Sequence, residues 1–329
     1  WTYDNVTDQY VSPSNTNDPF TIGQGFEIWL GDNPNTWNGQ AWNLEGDLHL
    51  DNISLDMNSA GGGWNLFGNP YLGFLDWDQI TSDFGNISNN EFWYVDANLG
   101  AFVNVTTGGT TIPPGQGFWI LATSDADLDL DPSIHLASGV SDPTFIKQNK
   151  INEQFMIHIL HENEPYGATA FLRNEPSAFT GLDNFDITPL RFRDTAACHL
   201  SIETGETDVM VNYISDYEPE VTLPIRIDAG TEGKYVVKFN GTETFKKYDC
   251  ISITDEQTGE SFDVTNETSF TINVDDKKVA QYLTLRLSNE EVVDCQPNNA
   301  SEATYLSNVL VNDGVINIDF HLDQPVGCD

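Results

Sequence analysis

Apolar and polar residues alternate with a period of two along most of this chain, and no segment holds a 3.6-residue apolar period long enough for a long helix. Segments FEIWL (26–30), DLHLDNISLDM (47–57), FWYVD (92–96), GFWILA (117–122) and DADLDLD (125–131) read as strands. So do KQNKINEQFMIHIL (147–160), TAFLR (169–173), ACHLSIE (197–203), KYVVKF (234–239), DCISITD (249–255), SFTINV (269–274) and QYLTLRLS (281–288). NG, TGE, GTE and PG punctuate them at the spacing of sheet turns. The pattern predicts an all-β chain of tandem antiparallel β-sandwich or jelly-roll-like modules with a short C-terminal β tail.

One repeat is visible at a constant offset of 92. It sets Trp1 on Trp93, Asp4 on Asp96, Tyr10-Val11 on Phe102-Val103, Gly23-Gln24-Gly25-Phe26 on Gly115-Gln116-Gly117-Phe118, and Ile28 on Ile120. The glycines on either side of Gln suit a turn or bulge entering a buried strand, where a side chain would obstruct the backbone. Residues 63–78, GWNLFGNPYLGFLDWD, precede the second copy, and their counterpart would fall before residue 1. The expected organisation is therefore 1–60 as the C-terminal half of a repeat, and 61–140 as a second copy packed with 1–60 as one domain. A sandwich over 150–290, a polar linker over 291–304 and a β segment over 305–329 follow. The opening WTYDNVTDQY has neither a basic start nor an apolar run, so a processed or cut start is expected.

Charge narrows the function. Against 13 Lys and Arg stand 51 Asp and Glu, a formal net charge of −38. Such a surface repels nucleic acid and anionic membranes, and no apolar run is long enough to span a membrane. Converging carboxylates would attract Ca²⁺, although a solvated acidic face is the simpler expectation. The four cysteines, Cys198, Cys250, Cys295 and Cys328, form no CxxC pair, which argues against a zinc ribbon and for disulfides in an oxidising compartment. Three complete pairings are open. Cys198–Cys250 with Cys295–Cys328 is preferred because each pair then lies within one module.

The runs GWNLFGNPYLGFLDWD, FWYVDANLGAFV and TIPPGQGFWILA resemble a module of large secreted proteins of Bacteroidota, with Leu72 where that family usually has Pro and Val95-Asp96 in place of Trp-Asp. The stretches PYGATAFLRN, KYVVKF and CISITDEQTGESFDV resemble the sandwich downstream in those proteins. The final NVLVNDGVINIDFHLDQPVGCD resembles the opening half of a type IX secretion C-terminal sorting domain. The resemblance implies export, display on or release from the cell surface, and contact with the secretion machinery.

Chemistry-bearing patterns are sparse. The chain has no HExxH, GxSxG or P-loop motif. His158 and His161 of HILH, three apart on a strand, face opposite ways and suit no shared metal. Asp125, Asp127, Asp129 and Asp131 alternate along one strand face, and Asp76 and Asp78 flank Trp77; these are the candidate Ca²⁺ positions. Trp37 and Trp42, in an Asn/Gly-rich loop, are the candidate sugar-stacking platforms, whereas strand-borne Trp93 and Trp119 are expected in the core. The leading expectation is a non-catalytic structural or adhesive module. A carbohydrate-binding module comes second and the accessory end of a secreted hydrolase third, with upstream modules of the same polypeptide and surface glycans as partners.

Overall fold

A computed structural model describes residues 1–15, 20–27, 49–96, 99–137, 154–164, 166–193, 196–205, 207–215, 218–245, 247–264 and 268–288, and the strand pairing of 305–312 and 315–321. The chain is all-β: the described helical elements are short, the longest being the seven-residue α1.

The N-terminal part opens with the hairpin β1 (Thr2–Asp4) and β2 (Gln9–Val11), followed by β3 (Ile53–Met57), β4 (Trp64–Gly68), β5 (Leu75–Asp76) and helix α1 (Trp77–Asp83). Then come β6 (Phe92–Asp96), β7 (Ala101–Val105), β8 (Thr111–Ile112), β9 (Gly117–Leu121), β10 (Ala126–Leu130) and the one-turn α2 (Pro132–His135). Strands β4-β9-β6-β7 form one sheet, and β3 pairs with β10. Their inner faces bury Leu75, Trp77, Ile80, Phe92, Phe118 and Leu128 in one core. The GNPY run is a structural pin. The Asn69 amide, almost wholly buried, donates to the carbonyls of Gly73 and Ile112 at 2.9 Å each and accepts from the Tyr71 N–H at 3.0 Å. The Tyr71 hydroxyl in turn donates to Leu130 O at 2.9 Å, tying the turn to β10.

The repeat at offset 92 reappears in the pairing. Tyr3 lies opposite Tyr10 as Val95 lies opposite Phe102, and Asp4 opposite Gln9 as Asp96 opposite Ala101. Asp4 accepts from the Thr7 N–H at 3.2 Å, and Asp96 from the Leu99 N–H at 3.1 Å, so each aspartate closes its hairpin in the same way. Trp1 and Glu27 exchange two backbone bonds of 2.8 Å at the place where Trp93 pairs with Trp119. Gly23 and Gly115 both take positive φ, +76° and +69°, which favours glycine there.

The second part comprises β11 (Gln154–His161), β12 (Gly167–Asn174), β13 (His199–Glu203), β14 (Asp208–Val209), β15 (Val211–Ile214), β16 (Glu220–Asp228), β17 (Gly233–Asn240), β18 (Cys250–Asp255), β19 (Ser261–Asp263), β20 (Ser269–Val274) and β21 (Gln281–Ser288). Strands β15-β12-β11-β17-β20 form one sheet and β14-β13-β16-β21-β18-β19 the other, antiparallel except for β12 with β15. Both sheets feed one core through alternating positions such as Phe155, Ile157, Leu223, Ile225, Ile253 and Leu285. The tail strands β22 (Tyr305–Asn312) and β23 (Val315–His321) form an antiparallel hairpin with Asn312 opposite Val315.

The preferred disulfide is corrected. Cys198 is a buried free thiol, whereas Cys250 is disulfide-bonded. Cys198 precedes β13 and Cys250 opens β18, and β16 and β21 lie between those strands. Three inter-strand steps of ~4.8 Å far exceed the ~4.4–6.8 Å Cα separation that a disulfide spans. Cys295 and Cys328 lie outside the described residues.

Candidate binding groove

Strand β11 buries Phe155, Ile157, Ile159 and His161 on its inner face. Its outer face is partly covered, with His158 buried and Met156 half-buried, because the N-terminal part packs on the outside of the β15-β12-β11-β17-β20 sheet. His161 turns inward, its ring 4.9 Å from that of Tyr235, while His158 turns outward and donates from Nε2 to Leu99 O at 3.0 Å. In the neutral ring that donates from Nε2, Nδ1 carries no proton, and among the described residues this buried nitrogen has no partner. Burial lowers the His158 pKa, and Lys238 lowers it further. Around this contact Gly167 N–H donates to Gly100 O (2.9 Å), Thr169 Oγ1 donates to Phe102 O (2.6 Å), and the Trp93 and Phe171 rings meet edge to face at 5.5 Å. Trp64, Trp93, Phe102, Trp119, Phe171 and Met210 thus form a core shared by both parts.

At the centre of this seam Arg173 pairs with Glu91, each 3% exposed. Arg173 also donates to the Tyr213 hydroxyl at 2.7 Å and to Gln154 Oε1 at 2.9 Å, and Asn104 Nδ2 donates to Glu91 Oε2 at 3.0 Å. Burial pushes the Glu91 carboxyl up, and the Arg173 guanidinium opposes that push. The pair is the costly kind of contact that holds only when both partners are present.

Along the rim of the seam the two parts leave a groove of about 300 Å³, walled by Tyr10, Phe26, Tyr94, Trp119, Tyr166 and Phe192, with Glu27 and Gln116 supplying polar groups. Phe192 stacks on Phe102 at 4.4 Å, and Tyr166 leans on Phe192 at 5.1 Å, so the loop carrying Phe192 is fixed against β7. Burial raises the Tyr94 phenol to about 12, with Asp96 adding to the shift, so Tyr94 is a neutral donor at any ordinary pH. Beside this groove, and sharing Tyr10 and Phe192 with it, lies a hollow of about 600 Å³ bordered by Tyr3, Asp8, Arg191, Arg193 and Asp208. The Arg193 guanidinium sits 3.7 Å from the centroid of the Trp1 ring, a cation–π contact. The two hollows together join aromatic faces to carboxylates and guanidiniums.

No family model, curated protein or solved structure matches the chain.

The positions singled out from sequence fall in different places. Trp37 and Trp42 lie outside the described residues. Trp93 and Trp119 are buried, at 1% and 5% exposure, and Trp119 also lines the groove. Asp125 accepts from the Ser59 N–H (2.8 Å) and hydroxyl (2.7 Å), and Asp131 caps α2 by accepting from the Ser133 N–H (2.8 Å). These local donors lower both carboxyl pKa values. Only Asp127 and Asp129 remain on the exposed face of β10, with Asp127 opposite Asp56 of β3. Asp76 caps α1 through the Asp78 and Gln79 N–H groups, and Asp78 accepts from the N–H groups of Gly108 (2.7 Å) and Gly109 (2.6 Å). Among the described residues no three His, Cys, Asp or Glu side chains group to hold a metal ion. The groove itself was not read from the sequence. Tyr10 and Phe26 stand out there only as repeat positions, and Tyr166 and Phe192 lie in turn-like stretches far along the chain with no local signal.

Proposed function

We propose that the protein is a non-catalytic adhesive module of a secreted cell-surface protein, displayed through type IX secretion, and that its seam groove takes carbohydrate. The observation that carries this reading is the line of half-buried rings, Tyr10, Phe26, Tyr94, Tyr166 and Phe192, along one groove beside groups of both charge signs. Such rings offer flat apolar faces to the C–H faces of pyranose sugars. Carboxylate and guanidinium groups beside them reach vicinal hydroxyls with paired hydrogen bonds. The docking of both parts through a buried ion pair and a shared core supports a rigid wall for that groove, which lowers the ordering cost of binding. Surface display follows from the resemblance to Bacteroidota secreted modules, and the −38 charge suits a soluble external protein. The test is a glycan microarray probed with the full chain and with Phe192→Ser. The proposal expects binding to a restricted set of neutral glycans that the variant loses; no binding across the array, or undiminished binding by the variant, would refute it.

A further inference from the structure

The two Gly-Gln-Gly-Phe segments are equivalent in sequence and in turn geometry, yet they share a single Trp-Asn-Leu-Phe-Gly strand. In the second copy, β9 lies on one edge of β4, with Phe118 opposite Phe67 and the Asn69 N–H donating to Gln116 O at 3.0 Å. In the first copy, Gly23–Gly25 uses the other edge of β4: the Gly25 N–H donates to Leu66 O at 3.2 Å, and the Gly68 N–H to Gly23 O at 2.9 Å. The first copy therefore bonds to β4 through Gly23 and Gly25, whereas the second does so through Gln116 and Phe118. The edge that corresponds to Gln116 and Phe118 is open: among the described residues the Gln24 C=O and the backbone N–H and C=O of Phe26 have no hydrogen-bond partner.

The side chains carry the same imbalance. Phe118 is fully buried, with the Phe67 ring 6.2 Å away, whereas Phe26 is half-buried and among the described residues stacks on Phe20 alone, which is 63% exposed. Ile22, beside the open edge, is 51% exposed. Proteins usually blunt such an edge with proline or charge. The second copy has Pro113-Pro114 where the first has Thr21-Ile22.

We infer that the open edge of Gly23–Phe26 is a docking site for a second Trp-Asn-Leu-Phe-Gly-type strand presented by a neighbouring repeat module. The occupant is identified by the chain's own second copy, which shows the strand that a Gly-Gln-Gly-Phe edge takes when it is filled. Main-chain bonds to Gln24 and Phe26 would supply the affinity, and a Phe against Phe26 the register, as in strand addition generally. Docking of this kind would join modules edge to edge into an extended array.

The probe is a synthetic peptide of residues 62–72, GGWNLFGNPYL, added to the full chain, with a Phe67→Pro peptide as control. Amide hydrogen exchange is followed by NMR. The inference expects saturating peptide to slow exchange at Phe26 by roughly tenfold or more, with Phe118 unchanged and the proline peptide inert. Failure to protect Phe26 at millimolar peptide, equal protection by the proline peptide, or loss of protection at Phe118 through displacement of β4 would each overturn it.

Discussion

Glu91 and Arg173 show how much of the seam depends on single side chains. Both are buried, so removing one charge leaves the other without its counter-ion in a low-dielectric setting. Glu91→Gln is expected to cost about 3–5 kcal/mol in urea unfolding, and the double change Glu91→Gln with Arg173→Met to cost less than the single one. An equal or greater loss for the double variant would show that the pair acts through packing alone. Two other residues set the acid response in opposite senses. Burial, with Arg191 nearby, lowers His199 to about 4, so between that value and about 6.5 the unfolded chain binds a proton that the fold refuses. Stability from this site is present above about 6.5 and falls as pH drops through that window. Burial raises Asp186 to about 6, so below that value the fold holds a proton that the unfolded chain, titrating near 3.9, does not. The Asp186 contribution therefore grows as pH falls from 6 towards 4. Unfolding measured from pH 7 to pH 4.5 should show less acid sensitivity for His199→Asn and more for Asp186→Asn. Identical slopes for parent and variants would contradict these assignments.

At the scale of elements, the two copies of the same motif approach β4 at different distances. A Cβ on Gly25 would lie 2.6 Å from both the Leu66 side chain and Phe67 O, whereas a Cβ on Gly117 meets nothing closer than 3.8 Å. Gly25→Ala is therefore expected to loosen the first copy from β4 and speed exchange of the Gly68 amide, which donates to Gly23 O. Gly117→Ala should leave that amide unchanged. Equal effects would mean that the two copies are held alike. Strands such as β6, β9, β11 and β21, and the repeat, were legible because period-two alternation and an ungapped offset are local properties of the chain. By contrast β4, β15 and β16 were not read as strands, and Phe26–Glu27, read as the start of one, is not in a strand. The disulfide was not, since strand order decides which cysteines can meet, and β16 and β21 come between β13 and β18 only in three dimensions. Asp76 and Asp131 likewise read as cation ligands until α1 and α2 are seen to begin beside them, which turns each into a helix cap. The groove was the least legible, because its walls come from segments as distant as Tyr10 and Phe192.

For the whole molecule, the charge of −38 sets the response to salt. Self-repulsion of a compact acidic fold is relieved by screening, so the melting temperature should rise smoothly with NaCl. With Asp76, Asp78, Asp125 and Asp131 bonded to local N–H and hydroxyl donors, Ca²⁺ at equal ionic strength should add no further shift. A clear rise at low Ca²⁺ with EDTA reversal would instead reveal a site that binds only the folded chain. The shared aromatic core and the buried ion pair make the two parts one support for the groove, and the adhesive reading rests on that support. Its most direct test is hydrogen–deuterium exchange of the full chain with and without the glycan that binds most tightly on the array. The account predicts slowed exchange confined to the segments around Tyr10, Phe26, Tyr94, Gly117–Trp119, Tyr166 and Phe192, while protection elsewhere with none along this groove would contradict it.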